Sequence, residues 1–286
     1  MSPRSHFFGY LISIALFACH TTQAAPLQVV VSLAPIMTLV EQLGGEQVQV
    51  HTLIKPGTNP HHFHPSPQQI SQVAQADLYV RAAVPFESVW LPRIQATHPN
   101  IQIIDAPICS DHAIDHDHHA EHADNIDPHF WTDPQQMHTF ARTISNTLSE
   151  LMPSQAALFE QRYTQVAGQL ATLDQDIRQL LAPLENRHFM VWHPAWGHFA
   201  AAYGLTQVAI QEAEKQLGAK TLVRLIEQAK ANNIHTMLVQ PQVQHRLANR
   251  IANDMAMTVI LADPLAADYQ NNLRELAQQL AQALAP

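Results

Sequence analysis

Between Leu27 and Ala262 the chain spells out four short β-branched runs, pauses, and spells out four more. The first four are LQVVVSL (27–33), VQVHTLI (48–54), DLYVRAA (77–83) and IQIIDA (101–106). The second four are HFMVWH (188–193), LTQVAI (205–210), HTMLVQ (235–240) and TVILA (258–262). Helical patterns lie between them: APIMTLVEQL (34–43), then SPQQISQVAQA (66–76) with Ser66 as N-cap and Pro67 at the first helical position. Helices over about 220–231 and 244–255 divide the last three runs, and an amphipathic segment at 270–284 closes the chain. Strand alternating with helix makes βαβ units, which pair their strands in parallel. The expected class is therefore α/β, with two similar four-stranded parallel-sheet lobes.

The pause has its own pattern. From Pro153 to Leu181 no proline follows the first residue, and Phe159, Tyr163, Val166, Leu170, Leu173, Ile177 and Leu180 fall at alternating steps of four and three. That spacing draws one apolar seam along a helix, about 40 Å long at 1.5 Å per residue. Such a helix outruns the needs of either lobe and predicts a stiff strut joining them; a coiled-coil dimer helix is the alternative. The expected division is a leader at 1–24, an N-terminal lobe at 25–152, the linking helix at 153–182 and a C-terminal lobe at 183–286.

Residues 1–24 read as an export signal. Arg4 precedes the apolar stretch Phe7 to Ala18, and Thr22-Gln23-Ala24 offers small residues at the −3 and −1 positions of a cleavage site. A lipoprotein signal acylated at Cys19 is the competing reading, with Phe17 bulky for it. Either way the protein is expected outside the cytoplasm, in the periplasm. The formal net charge of −9 becomes −10 once Arg4 leaves, which disfavours nucleic acid as a partner. Only Cys109 then remains, so no intramolecular disulfide is available and stability must come from packing. The chain is expected to be monomeric.

With the strands placed, four stretches fall just beyond strand ends, where open α/β sheets bind ligands. They are PHHFHPSP (60–67), DPHFWTDP (127–134), HPAWGHFAAAYGL (193–205) and ADPL (262–265). Two come from each half, so a crevice between lobes could gather them. Three imidazoles and a carboxylate make a closed shell for a divalent first-row metal. His61, His129 and His193 each adjoin a proline, which lowers the entropy lost in holding a ligand still. Asp263 is the candidate carboxylate, although Asp-Pro is also an ordinary turn signal. His198 is expected to pack or hydrogen-bond, and His62 and His64 to lie at the surface or behind the ligands. A separate acidic run at 111–124 holds His112, His116, His118, His119 and His122, expected to form a low-affinity metal trap that Cys109 could join, with a merely solvated loop as the alternative.

These four motifs, in this order from VVVSLAPI (29–36) to the last helix, resemble the zinc- and manganese-type solute-binding proteins of bacterial ABC importers. The resemblance implies two α/β lobes joined by one long helix, metal between them, and His61, His129, His193 and Asp263 as ligands. It also implies an inner-membrane ABC permease as partner, with Zn2+ as cargo rather than resident cofactor. A histidine-rich acidic loop before the second ligand resembles the zinc branch. The chain departs from the family in three places. Gln240-Pro241-Gln242 stands where members often have Glu-Pro-Gln, the disulfide frequent in the second lobe cannot form, and Pro60 stands where some members are acidic.

Neutral imidazoles suit Zn2+, whereas Mn2+ prefers more oxygen donors; Cu2+ and Ni2+ match or exceed zinc in affinity order. A manganese- or iron-type binding protein is the nearest alternative. A metal-dependent hydrolase is suggested by His62-Phe63-His64. Against it, no lysine lies between Lys55 and Lys215, and HExxH, Gly-x-Ser-x-Gly and a phosphate loop are all missing. A passive metal buffer would show several equivalent weak sites. The expected protein is not an enzyme.

Overall fold

The computed structural model describes residues 25–107, 127–210, 218–242 and 245–285. The leader with Cys19, then Cys109, His112, His116, His118, His119 and His122, lie outside the described residues. Among those described, no helix is long and apolar enough to cross a membrane.

All eight strands form, each shorter than its apolar run. They are β1 (Leu27–Val31), β2 (Val48–Thr52), β3 (Leu78–Val80), β4 (Gln102–Ile104), β5 (His188–Val191), β6 (Thr206–Ala209), β7 (Thr236–Val239) and β8 (Thr258–Leu261). Of the residues that overrun the strands, His193 after β5 and Gln240 after β7 line one cleft. Two four-stranded sheets result, in the orders β2-β1-β3-β4 and β6-β5-β7-β8. Every pairing is parallel, from Leu27 opposite Val48 to Leu238 opposite Ile260.

The helices are α1 (Ala34–Gly44), α2 (Pro67–Ala74), α3 (Pro85–Thr97), α4 (Pro134–Leu151), α5 (Ala156–Leu181), α6 (Gly197–Ala202), α7 (Ala219–Ala231), α8 (His245–Asp254) and α9 (Tyr269–Ala283). At the start of α2, Ser66 Oγ accepts from Gln69 N while the Gln69 side chain accepts from Ser66 N. That reciprocal pair is a capping box.

The 26-residue α5 buries Phe159, Tyr163, Val166, Leu170, Leu173, Ile177 and Leu181. The seam ends on Leu181, one position past the predicted Leu180. Gly168 lies within this helix on its exposed side, where an added Cβ would meet nothing within 4 Å, so the seam runs past it unbroken. The helix packs on α1 from the first half, on α9 from the second and on α4 along its length.

Three helices lie in stretches the sequence left unassigned. In α3 the internal Pro92 masks the pattern, because proline removes a donor and crowds the preceding turn. In α4 the many Thr, Ser and Asn residues have weak helix propensity. It forms because Asp133 caps Gln135 N at 2.9 Å and because Met137, Phe140, Ala141, Ile144 and Leu148 are buried on one face. The third, α6, is a short helix just beyond β5.

Alternation along β5 divides the interior. Phe189 and Val191 join a core shared by both halves through α1, α4, α5 and α9, while Met190 and Trp192 face a smaller core formed with α7 and α8. Successive side chains of a strand point to opposite faces, so each sheet is covered on both sides. The shared core holds the ends of β1, β2 and β5 in a fixed relation, and the loops leaving those ends inherit it.

A candidate three-histidine metal centre

Each histidine is presented by a short turn. After β2, Asn59 Oδ1 accepts the His61 amide at 2.9 Å, and Pro60 starts a single 3-10 turn over Pro60–His62. Beyond β5, His193 is the second residue past the strand, held by the Trp192 N–H to Leu238 O bond at 3.0 Å and the Ala195 N–H to His193 O bond at 2.8 Å. Before α4, Asp127-Pro128-His129 forms a corner backed by buried Phe130 and Trp131.

The three imidazoles converge. One ring nitrogen from each of His61, His129 and His193 lies within 4.8 Å of the others. His61 Nε2 and His193 Nε2 are 3.1 Å apart. A tetrahedral zinc with Zn–N of 2.0–2.1 Å sets its nitrogens about 3.3 Å from one another, so this pair already has ligand spacing. His193 is the middle member, its ring centroid 4.7 Å from that of His61 and 5.4 Å from that of His129, while those two are 6.3 Å apart. Burial, with the neighbouring His129 and His61, lowers the His193 pKa to about 3. The ring is therefore neutral at physiological pH, with one of its two nitrogens able to ligate.

His129 is oriented by a carboxylate. Asp127 Oδ1 accepts the His129 backbone N–H at 2.9 Å and lies 2.6 Å from His129 Nδ1. Burial works against the charged Asp127, but His129 outweighs it through its charge and both bonds, holding the carboxyl below its usual range. An imidazole whose far nitrogen donates to a carboxylate has its tautomer and ring direction fixed and its ligating nitrogen made more basic. Nothing in DPHFWTDP marked Asp127 as this partner, although its spacing of two residues allows the contact.

Asp263 is not among the group. Its Oδ1 accepts Gln242 Nε2 at 2.8 Å and Leu265 N at 2.9 Å, so the Asp-Pro turn signal describes its part in the structure. His198, 4% exposed, hydrogen-bonds within the protein, as expected. His62 lines the cleft, and His64 is exposed outside it. A cavity of about 110 Å³ opens beside the imidazoles, lined among others by Asn59, Val84, Pro85, Trp131, Gln240 and Leu265. Among the described residues no acid or lysine lines it.

The wall at Val84 and Pro85 has its own support. Ala83 adopts φ of 59°, a left-handed conformation unfavourable for a residue with a Cβ. The amides on either side, Ala82 N and Val84 N, donate to the fully buried Glu87 carboxylate at 3.0 and 3.1 Å. Ser32 Oγ also donates to Glu87, at 2.5 Å, and Tyr79 OH at 3.3 Å. Burial raises the Glu87 pKa, with the bonds from Ala82, Ser32 and Val84 and the nearby Arg81 pulling the other way.

Known proteins share this plan. A crystal structure of ZnuA superimposes with a TM-score of 0.80 at 32% identity, covering 91% of this chain and 100% of that one. A ZnuA deletion mutant crystallised with zinc bound gives the same TM-score of 0.80, 32% identity and 91% coverage, with 99% of that chain spanned. The zinc-binding lipoprotein AdcA of Streptococcus pneumoniae (strain ATCC BAA-255 / R6) is 27% identical over 262 residues, 87% of this chain and 52% of that longer protein. The family model for ZnuA, zinc-uptake complex component A, periplasmic, matches residues 29–283. That match takes in both sheets, the long helix and all three histidine turns, and this chain belongs to the ZnuA family.

Proposed function

We propose that this protein captures Zn2+ in the periplasm on His61, His129 and His193 and delivers it to an ABC importer. The observation that carries the reading is the convergence of three imidazole nitrogens within 4.8 Å of one another, from loops of both halves. Zinc is cargo here. An all-nitrogen set favours it over Mn2+, which seeks oxygen donors, and a lining without acids among the described residues also speaks against hydrolysis, which needs a base beside the metal-bound water. We take residues 153–182 as the element linking lobes at 25–152 and 183–286, residues 1–24 as an export signal, and the protein as a monomer.

Calorimetry with competing metals tests the reading. One tight Zn2+ site that Mn2+ does not displace is expected; tight Mn2+ with weak Zn2+ would move the protein to the manganese class. The same titration on a chain lacking residues 111–122 should keep the tight site and lose only weak additional binding. We assign that weak binding to His112, His116, His118, His119 and His122. Loss of the tight site would overturn their auxiliary role.

Asp263 gives a second test. Its Oδ1 is already engaged twice, so Asp263→Asn should leave zinc affinity within about threefold, under about 0.7 kcal/mol. A loss of a hundredfold would make Asp263 a fourth ligand after all.

A further inference from the structure

The segment Asp127 to Trp131 precedes α4 and follows the first sheet in the chain, yet hydrogen bonds on both flanks tie it to the second half. On one flank Trp131 Nε1 donates to the Pro264 carbonyl at 2.7 Å. On the other is His198, carried by α6. Its Nε2 lies 3.0 Å from the Asp127 carbonyl oxygen, and its Nδ1 lies 2.8 Å from Gln136 Nε2 on α4. A carbonyl oxygen only accepts and an amide nitrogen only donates, so these contacts fit the neutral tautomer with its proton on Nε2. The Gln136 side chain is also hydrogen-bonded to Asp133, which orients its amide. His198 is thus held by α4 and aimed at the backbone of the residue that orients His129.

We propose that His198 is a positioning residue for the metal site, a tie between the halves that acts on His129 through Asp127. The proposal rests on the reading of His129 as a zinc ligand. Asp127 Oδ1 grips both the backbone amide and the Nδ1 of His129, so a tilt of the Asp127 peptide swings the imidazole. His198 fixes that peptide from the opposite half. Metal affinity and contact between the halves are then linked. Parting the halves frees Asp127 and loosens His129, and by reciprocity bound zinc strengthens the contact. An importer that spreads the two halves would weaken the site without touching a ligand.

Zinc binding by His198→Phe, His198→Gln and His198→Asn tests this, alone and combined with Asp127→Asn, beside the unaltered protein and His129→Ala. Loss of binding in His129→Ala establishes the site independently; retained tight binding there overturns the site reading and the positioning role with it, whereas loss there beside unchanged affinity in His198→Phe overturns the positioning role alone. His198→Phe should weaken zinc by about 10- to 100-fold, the range for groups that orient metal ligands, through faster dissociation. Glutamine places an amide donor near the position of Nε2 and should recover most of the affinity; asparagine is too short to reach Asp127 and should not. In the Asp127→Asn background the phenylalanine change should add little further loss, because both act on one path. Unchanged affinity in folded His198→Phe overturns the proposal. So do equal losses in both backgrounds. Should His198→Phe not fold, the glutamine and asparagine variants decide, and asparagine binding as well as glutamine refutes the tie.

Discussion

Replacing His193 with alanine is expected to weaken zinc binding by about a hundredfold or more. Four ligands of a structural zinc site yield about 10–16 kcal/mol together, so one imidazole is worth about 3 kcal/mol, roughly two orders of magnitude in Kd. His193 should be at or above that average, because it is the ring closest to both others and its loss breaks the pair already at ligand spacing. Competition against a chromophoric chelator measures the change, and an affinity within threefold of the original would remove His193 from the site.

The same substitution should alter the metal-free protein. His193 has an ordinary pKa of 6.5 and a folded one of about 3. Between those values the unfolded chain binds the proton that the folded protein refuses, so stability rises with pH. That contribution is complete above pH 6.5 and lost as the pH falls toward about 3. His193→Ala should flatten the slope in thermal denaturation of the metal-free protein. An unchanged slope would mean that the imidazole is not buried as described.

The second large effect lies at Glu87. Glu87→Ala is expected to destabilise the fold by about 3–5 kcal/mol, since removing one partner of a buried polar cluster strands the others. The stranded groups are Ala82 N and Val84 N, while Ser32 Oγ and Tyr79 OH would keep only their 2.6 Å bond to each other. For a chain of this size the melting temperature should fall by about 10 °C. Glu87→Gln should recover only part of the loss, because Oε1 and Oε2 each accept a backbone N–H and one would be replaced by a donor. Ala83 would also lose the clamp that keeps it at positive φ, so the Val84–Pro85 wall should shift and zinc binding weaken along with stability. A melting temperature within 2 °C of the original would show the network to be dispensable.

The fold was legible because its signals are periodic. Eight β-branched runs and the four-three seam from Phe159 onward needed no tertiary information, and all eight strands and the long helix are present. Pro92 hid α3, and the polar surface of α4 hid a buried stripe at Met137, Phe140, Ile144 and Leu148. Asp127, Glu87 and Gln242 were illegible for another reason. Each acts through individual side-chain contacts, over spans of two, up to fifty-five and twenty-one residues, and such contacts leave no pattern in a sequence. Asp263 meets the same limit: Asp-Pro looks alike whether the carboxylate holds a metal or its own turn.

The two sheets share one strand order, so β1 matches β5 and β4 matches β8. On that correspondence Asp127-Pro128-His129 and Asp263-Pro264-Leu265 are two copies of one device. Both aspartates accept the N–H two residues on at 2.9 Å, and Pro128, His129, Pro264 and Leu265 all line the cleft. The two halves thus present the same turn to the cleft from opposite sides of the chain. One copy displays an imidazole and the other an isobutyl group, so the second half is a single residue short of offering a donor of its own at that turn.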